Sequence, residues 1–285
     1  AKIFFTDLAG HSQSLFLPAD FDIYFRPALE MGAGVSSNSW GSNDVTTNYV
    51  DTDRETDLFS WYNQEMLIVV ASGNTGRRGG ILSPGSSKNA LSVGSTGNDM
   101  ASRGDVSSFS GYGPTWDGRI KPEVVAPGNG IMSAKSDGRQ GSNQCDITSK
   151  SGTSMAAPLV AGAALIVRQY FTQGWWPTGA PVASNGFKPS AALVKGMLIQ
   201  SGEPQHGRIG YGGRLQGTLP ENPQGWGLVR IDRVLRFPDS SFQLHVENNV
   251  TLKHRERWHK CFGASGGKLK VTLNWIDAVP AFGVS

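Results

Sequence analysis

Cysteine is nearly absent. The two present, Cys145 and Cys261, lie far apart in 285 residues and match neither a metal-ligand spacing nor a disulfide framework. That excludes a small disulfide-stapled scaffold and leaves the redox compartment undetermined. Charge is also sparse: charged residues make up 17% of the chain, and Lys plus Arg number 26 against 23 for Asp plus Glu. So small an excess is no electrostatic footprint for nucleic acid. The one dense basic stretch, residues 254–260, reads as a solvated strand edge, where Lys and Arg discourage further pairing. Long apolar runs are missing too. Leu67–Ala71 and residues 159–167 fall short of the ~20 residues a membrane span needs, so no span is expected. No acidic loop shows a calcium-ligand spacing, so no metal site is located. The chain begins at Ala1 without Met or a signal peptide and stops at Ser285 without a terminator, so both ends read as cuts in a longer protein.

Glycine, by contrast, is plentiful. Its 37 occurrences cluster at the ends of apolar runs, where tight turns and close backbone approaches are made. Hydrophobic residues at 38% suffice for a sizeable core, and the length suits one main domain with a smaller appendage. Strand-like runs at residues 2–6, 35–39, 67–72, 90–96 and 124–126 alternate with helical periodicity at 17–31, 51–66, 154–171 and 189–201. That pattern predicts an α/β fold, a mainly parallel sheet flanked by helices, over residues 1–236. From about residue 237 the texture changes to period two, at 242–247 and again at 268–276. Residues 237–285 are therefore expected to begin an all-β domain.

Three stretches carry the chemistry: Ser36-Ser37-Asn38-Ser39-Trp40-Gly41, Val69-Val70-Ala71-Ser72-Gly73-Asn74, and Ser151-Gly152-Thr153-Ser154-Met155-Ala156-Ala157-Pro158. In this order they resemble the subtilisin-like serine proteases, the subtilases (peptidase S8). The resemblance implies a serine endopeptidase whose nucleophile is Ser154, at the N-terminus of a helix that small alanines allow to be buried. First-turn N–H groups favour negative charge developing on a carbonyl oxygen; a plain helix N-cap is the competing account of this serine. Asn74, after a buried strand and a glycine, is the implied oxyanion-hole donor, with a simple turn residue as its competing account. Ser39, Trp40 and Gly41 correspond to one wall of the primary specificity pocket, and Ala71, Ser72 and Gly73 to the other, although Trp40 is equally explained as core. Residues 109–128 and 224–227, with the β-like tail, are similar to alkaline subtilases that carry a C-terminal jelly roll. The family implies peptide substrates, no cofactor for the chemistry, structural calcium at sites the sequence does not locate, and a secreted or extracytoplasmic setting.

Two family motifs are missing. Neither the aspartate setting (Asp-Thr/Ser-Gly) nor the histidine setting (His-Gly-Thr-His) occurs. The only histidine before Ser154 is His11, in a loop-like setting and not assigned as the base. A serine without its imidazole is a poor nucleophile at neutral pH, so this chain alone is expected to be nearly inactive. The alternative is a peptide-binding scaffold that does not cut. An α/β-hydrolase would place its acid and histidine after the serine, and Asp232, His206, His245, His254 and His259 do follow it. Against that, Gly152-Thr153-Ser154-Met155-Ala156 lacks the second glycine of that family's nucleophile turn.

Overall fold

Every residue of Leu67–Ala71 is buried, which requires apolar cover on both faces of the sheet it belongs to. The computed structural model, which describes residues 2–8, 15–42, 49–139, 141–263 and 266–279, supplies that cover. Four parallel strands, β1 (Val35–Asn38), β2 (Leu67–Ala71), β3 (Leu91–Thr96) and β4 (Val124–Pro127), lie in the order β1-β2-β3-β4. Val35 aligns with Leu67, Val69 with Leu91 and Val93 with Val124. Alternate residues of β2 serve different cores. Ile68 and Val70 join Phe21, Phe25 and Phe59 beneath α1 (Phe21–Glu30) and α2 (Asp51–Tyr62). Leu67, Val69 and Ala71 face α3 (Thr153–Thr172) and α4 (Ala191–Gln200). The sheet is thus sandwiched between helices, the α/β architecture expected from the alternation of periods.

The cover on the second face depends on small side chains. Ala156, Ala157, Ala161 and Ala164 are buried against the strands, letting α3 lie close to the sheet. By length and composition α3 would also cross a membrane, with a mean hydropathy of 1.2 over its most apolar window. A core helix passes the same measure, and α3 packs on all four strands. Between β4 and α3 the chain makes an antiparallel hairpin, β5 (Ile131–Ala134) with β6 (Ile147–Lys150). At the outer edge of β4, Leu228 bridges Val125 and Glu203, so residues 203–228 cover an edge that would otherwise expose bare backbone groups. Gly202 is required there: a Cβ on it would lie 1.9 Å from the carbonyl oxygen of Trp226.

A buried charge cluster ties this frame together. Lys121 donates to the Ser87 carbonyl (2.7 Å) and to Glu123 (2.6 Å), while Lys195 of α4 reaches the Ala90 carbonyl (2.9 Å) and Glu123 (3.1 Å). Burial pulls the Lys121 ammonium down to about 8, and the neighbouring carboxylate limits the fall. Burial alone would raise Glu123, but the two lysines outweigh it and hold its carboxyl below the ordinary range.

Three expectations need correction. Residues 2–6 form no strand, and Ile3 and Phe5 stand exposed. Nor do residues 242–247 or 268–276, so no all-β domain is present among the described residues. Period two sorts side chains to two faces, but a strand also needs a ladder partner, and none of these segments has one there. Helix α4 starts after its cap Ser190, whose hydroxyl accepts the Leu193 N–H, rather than at Pro189. His11 and the final residues 280–285 lie outside the described residues.

Candidate active site

Ligands of open parallel sheets gather at the carboxyl ends of the strands, and this chain has a cleft of about 300 Å³ at the carboxyl ends of β1 and β2, beside the N-terminus of α3. Ser39, Trp40 and Gly41 line it from the residues after β1, and Ala71, Gly73 and Asn74 from the end of β2. Ser154 enters from α3. Sequence segments separated by up to 115 positions thus meet at one point.

Ser154 is the second residue of α3, where an N–H has no intrahelical acceptor. Its amide takes no other partner among the described residues, and its Oγ makes only a long contact of 3.4 Å to the Ser39 carbonyl. The Ser154 carbonyl has a different history. Pro158 lies four residues on, in the second turn, and has no N–H to give it. The Ser39 hydroxyl takes that place, donating to the Ser154 carbonyl at 2.9 Å. One wall of the cleft is thereby fastened to the helix that carries the hydroxyl.

Asn74 is fastened just as firmly. Its Oδ1 accepts from both the N–H and the hydroxyl of Thr153, each at 2.9 Å, and the Gly73 N–H donates to the Thr153 Oγ1 at 3.2 Å. With Oδ1 so engaged, Nδ2 is left without an acceptor among the described residues. The Asn74 amide and the first-turn N–H of Ser154 are therefore two unspent donors beside one hydroxyl. Such a pair suits an oxygen that gains negative charge as a carbonyl is attacked. Ser154 does not act here as the N-cap: Gly152 holds that position.

Trp40 turns out to do both things considered for it. It lines the cleft, and its Nε1 donates to the Asn38 Oδ1 (3.2 Å) while its ring meets Phe21 and Tyr24 edge-on. Ser72 departs from the pocket expectation. It is buried behind the wall, its N–H bound to the Val93 carbonyl and its own carbonyl to the Leu82 N–H. Thr75, Leu82 and Thr153 line the cleft as well and were not singled out from sequence. Thr153 had a signal in its place beside Ser154; Leu82 lies in a loop with no motif.

None of the ten lining residues titrates. Shifted groups lie outside the lining: Lys121 and Glu123, and on α2 Asp53, whose carboxyl burial pushes up to about 6 against the pull of hydrogen bonds from the Val50 N–H and Ser86. Asp57, one turn on, is raised by burial too, and accepts from Tyr49 and from the N–H groups of Lys88 and Asn89. Among the described residues no histidine lines the cleft, and His245 is engaged elsewhere with Glu247 at 2.8 Å. The downstream histidines therefore do not assemble the arrangement an α/β-hydrolase needs. Among the described residues no three His, Cys, Asp or Glu side chains gather as a metal site.

The family model described as the subtilase family, Peptidase S8, matches residues 1–227. The chain belongs to the subtilase family. Among curated relatives, the serine protease/ABC transporter B family protein tagD of Dictyostelium discoideum is 27% identical over 374 aligned positions, covering 97% of this chain and 20% of that protein. The alkaline proteinase of Hapsidospora chrysogena is 34% identical over 188 residues, covering 66% of this chain and 38% of that protein. The chain thus spans well under half the length of either. Sphericase shares the fold, with a TM-score of 0.54 at 22% identity over 77% of this chain and 66% of that one. So does the patellamide maturation protease PatA, with a TM-score of 0.53 at 22% identity over 77% and 68%.

Proposed function

We propose that this chain carries the nucleophile-bearing part of a serine endopeptidase that works through an acyl-enzyme on Ser154. The observation that carries the reading is the shared cleft of the Ser154 hydroxyl and the Asn74 amide, at the carboxyl ends of two sheet strands. A peptide lies along the Ser39–Gly41 and Ala71–Gly73 walls as an added strand. The Ser154 Oγ attacks the scissile carbonyl carbon while an imidazole takes its proton. The carbonyl oxygen, now negative, is held by the Asn74 Nδ2 and the Ser154 N–H. The C–N bond then breaks as the imidazole returns the proton to the leaving amine, and water hydrolyses the ester in the reverse sense. The imidazole and its carboxylate come from outside the described residues, and the 285 residues alone are nearly inactive. The chemistry needs no cofactor. An extracytoplasmic setting is supported by likeness to an extracellular basic protease of Dichelobacter nodosus, 35% identical over 49% of this chain.

Fluorophosphonate labelling of the full-length protein tests this. Labelling is expected at Ser154, absent in Ser154→Ala and absent from the 285-residue chain alone. Full-length protein that stays unlabelled, or label that survives Ser154→Ala, removes the nucleophile. One observation favours a second reading, a non-cutting peptide binder: among the described residues no histidine lines the cleft. That reading predicts peptide binding by the full-length protein without labelling.

A further inference from the structure

Gly41 and Gly73 face each other across the cleft, and the space that two missing side chains would leave between them is not empty. Leu82 lies in it. A Cβ built on Gly73 would meet the Leu82 Cγ at 2.6 Å and Cδ1 at 2.9 Å; one built on Gly41 would meet the Leu82 Cβ at 3.2 Å and Cδ1 at 3.8 Å. The isobutyl group is therefore wedged between the two walls while still lining the cleft.

The wedge cannot easily retreat. The Leu82 N–H donates to the Ser72 carbonyl at 3.1 Å, and its own carbonyl accepts the Gly85 N–H at 2.7 Å. The next carbonyl, of Ser83, accepts the Ser42 N–H at 2.9 Å, tying the loop to the residue after Gly41. Trp40 offers no compensating room, since its indole is bound to Asn38 and packed on the aromatic rings of α1. A packed side chain on a backbone pinned at three points behaves as a floor, and close packing makes even one methylene count.

We infer that Leu82 closes the specificity pocket and restricts the residue that donates the scissile carbonyl to a small side chain, Gly, Ala or Ser. This rests on the endopeptidase reading for its orientation of the peptide: with the carbonyl at Ser154 and Asn74, that residue's side chain points between Gly41 and Gly73, onto Leu82. An aromatic side chain there overlaps the isobutyl group, while a methyl group rests on it.

Full-length protein and its Leu82→Gly variant, with Leu82→Ala as a milder second variant should Leu82→Gly not fold, are assayed on two peptide anilides that differ only in Ala or Phe at the scissile residue. The wild-type protein is expected to favour Ala in kcat/KM by more than about tenfold, and either variant to shrink that ratio at least about tenfold, mainly through KM for the Phe substrate. Equal use of Phe by the wild type, or a ratio unmoved by both variants, overturns the inference. A second measurement does not depend on catalysis: calorimetric binding, by the Ser154→Ala protein, of peptides that end in Ala or in Phe. Preference for the Ala peptide that Leu82→Gly erases supports the pocket even if no cleavage is ever seen, in which case only the endopeptidase reading falls. No binding of either peptide, or no preference between them, overturns the inference about Leu82.

Discussion

The body of the molecule and its C-terminal stretch treat the two sides of an extended segment in opposite ways. In β2 both sets of side chains are apolar and both are buried, Ile68 and Val70 under one helix layer, Leu67 and Val69 under the other. Across residues 268–277 the polar set does the docking. Gln200 of α4 donates to the Lys270 carbonyl at 3.0 Å, Asn274 donates to the Ala192 carbonyl at 2.8 Å, and the Asp277 N–H donates to Asn89 at 2.8 Å. The apolar set, Leu269, Val271, Leu273 and Trp275, faces solvent, with Leu273 81% exposed. Periodicity therefore states that a segment has two unlike faces. Which face is covered, and whether a strand forms at all, depends on the neighbours the chain finds.

The steepest loss is expected at the cleft, which belongs wholly to the body of the molecule. Asn74→Ala is expected to lower kcat of the full-length enzyme by about 10²–10³ with little change in KM, because its free Nδ2 acts on charge that appears only as the carbonyl is attacked. A loss confined to KM would make Asn74 a binding residue instead. In stability, Leu198→Ala in the fully buried face of α4 is expected to cost about 2–5 kcal/mol, measured by denaturant unfolding. Leu273→Ser in the tail is expected to stay within about 0.5 kcal/mol. Equal losses would show that the outward row of the tail is covered in solution.

The smallest effect is a pH slope that only the body carries. Because burial raises the Asp53 carboxyl from 3.8 to about 6, the folded chain holds a proton there that the unfolded chain has released. Between about pH 4 and pH 6 folding therefore takes up protons, and stability falls as pH rises through that interval. Thermal melts should show this fall, and Asp53→Asn should flatten it. A slope of the opposite sign would mean that the hydrogen bonds from the Val50 N–H and Ser86 outweigh burial.

Much of the fold could be read from residue order alone. The fully apolar β2, the alanine-rich α3 and the glycine-bounded runs between them announce a parallel sheet with helices on both faces, and the three motif stretches place Ser154, Asn74 and the two walls together. Local rules failed where an outcome depended on a partner far away in the chain. Residues 2–6 read as a strand and residues 268–276 have strand periodicity, yet neither has a ladder partner among the described residues. Ser72 shares a wall segment with Ala71 and Gly73, yet its backbone is spent on Val93 and Leu82.

Residue order alone thus carried the class of fold, the family and most of the motif residues at the cleft, because these follow from local period, glycine placement and short motifs, but not Thr75 or Leu82. The tertiary structure alone decided how those residues are held. Ser39 meets the carbonyl that Pro158 leaves unpaired, Thr153 locks the Asn74 amide, Lys195 reaches the loop beside Asn89, and Leu82 wedges between Gly41 and Gly73. The physical reason is common to all four. Hydrogen-bond and packing complementarity act over a few ångströms in space, and segments remote in the chain are brought to that range only once the sheet and helices have packed.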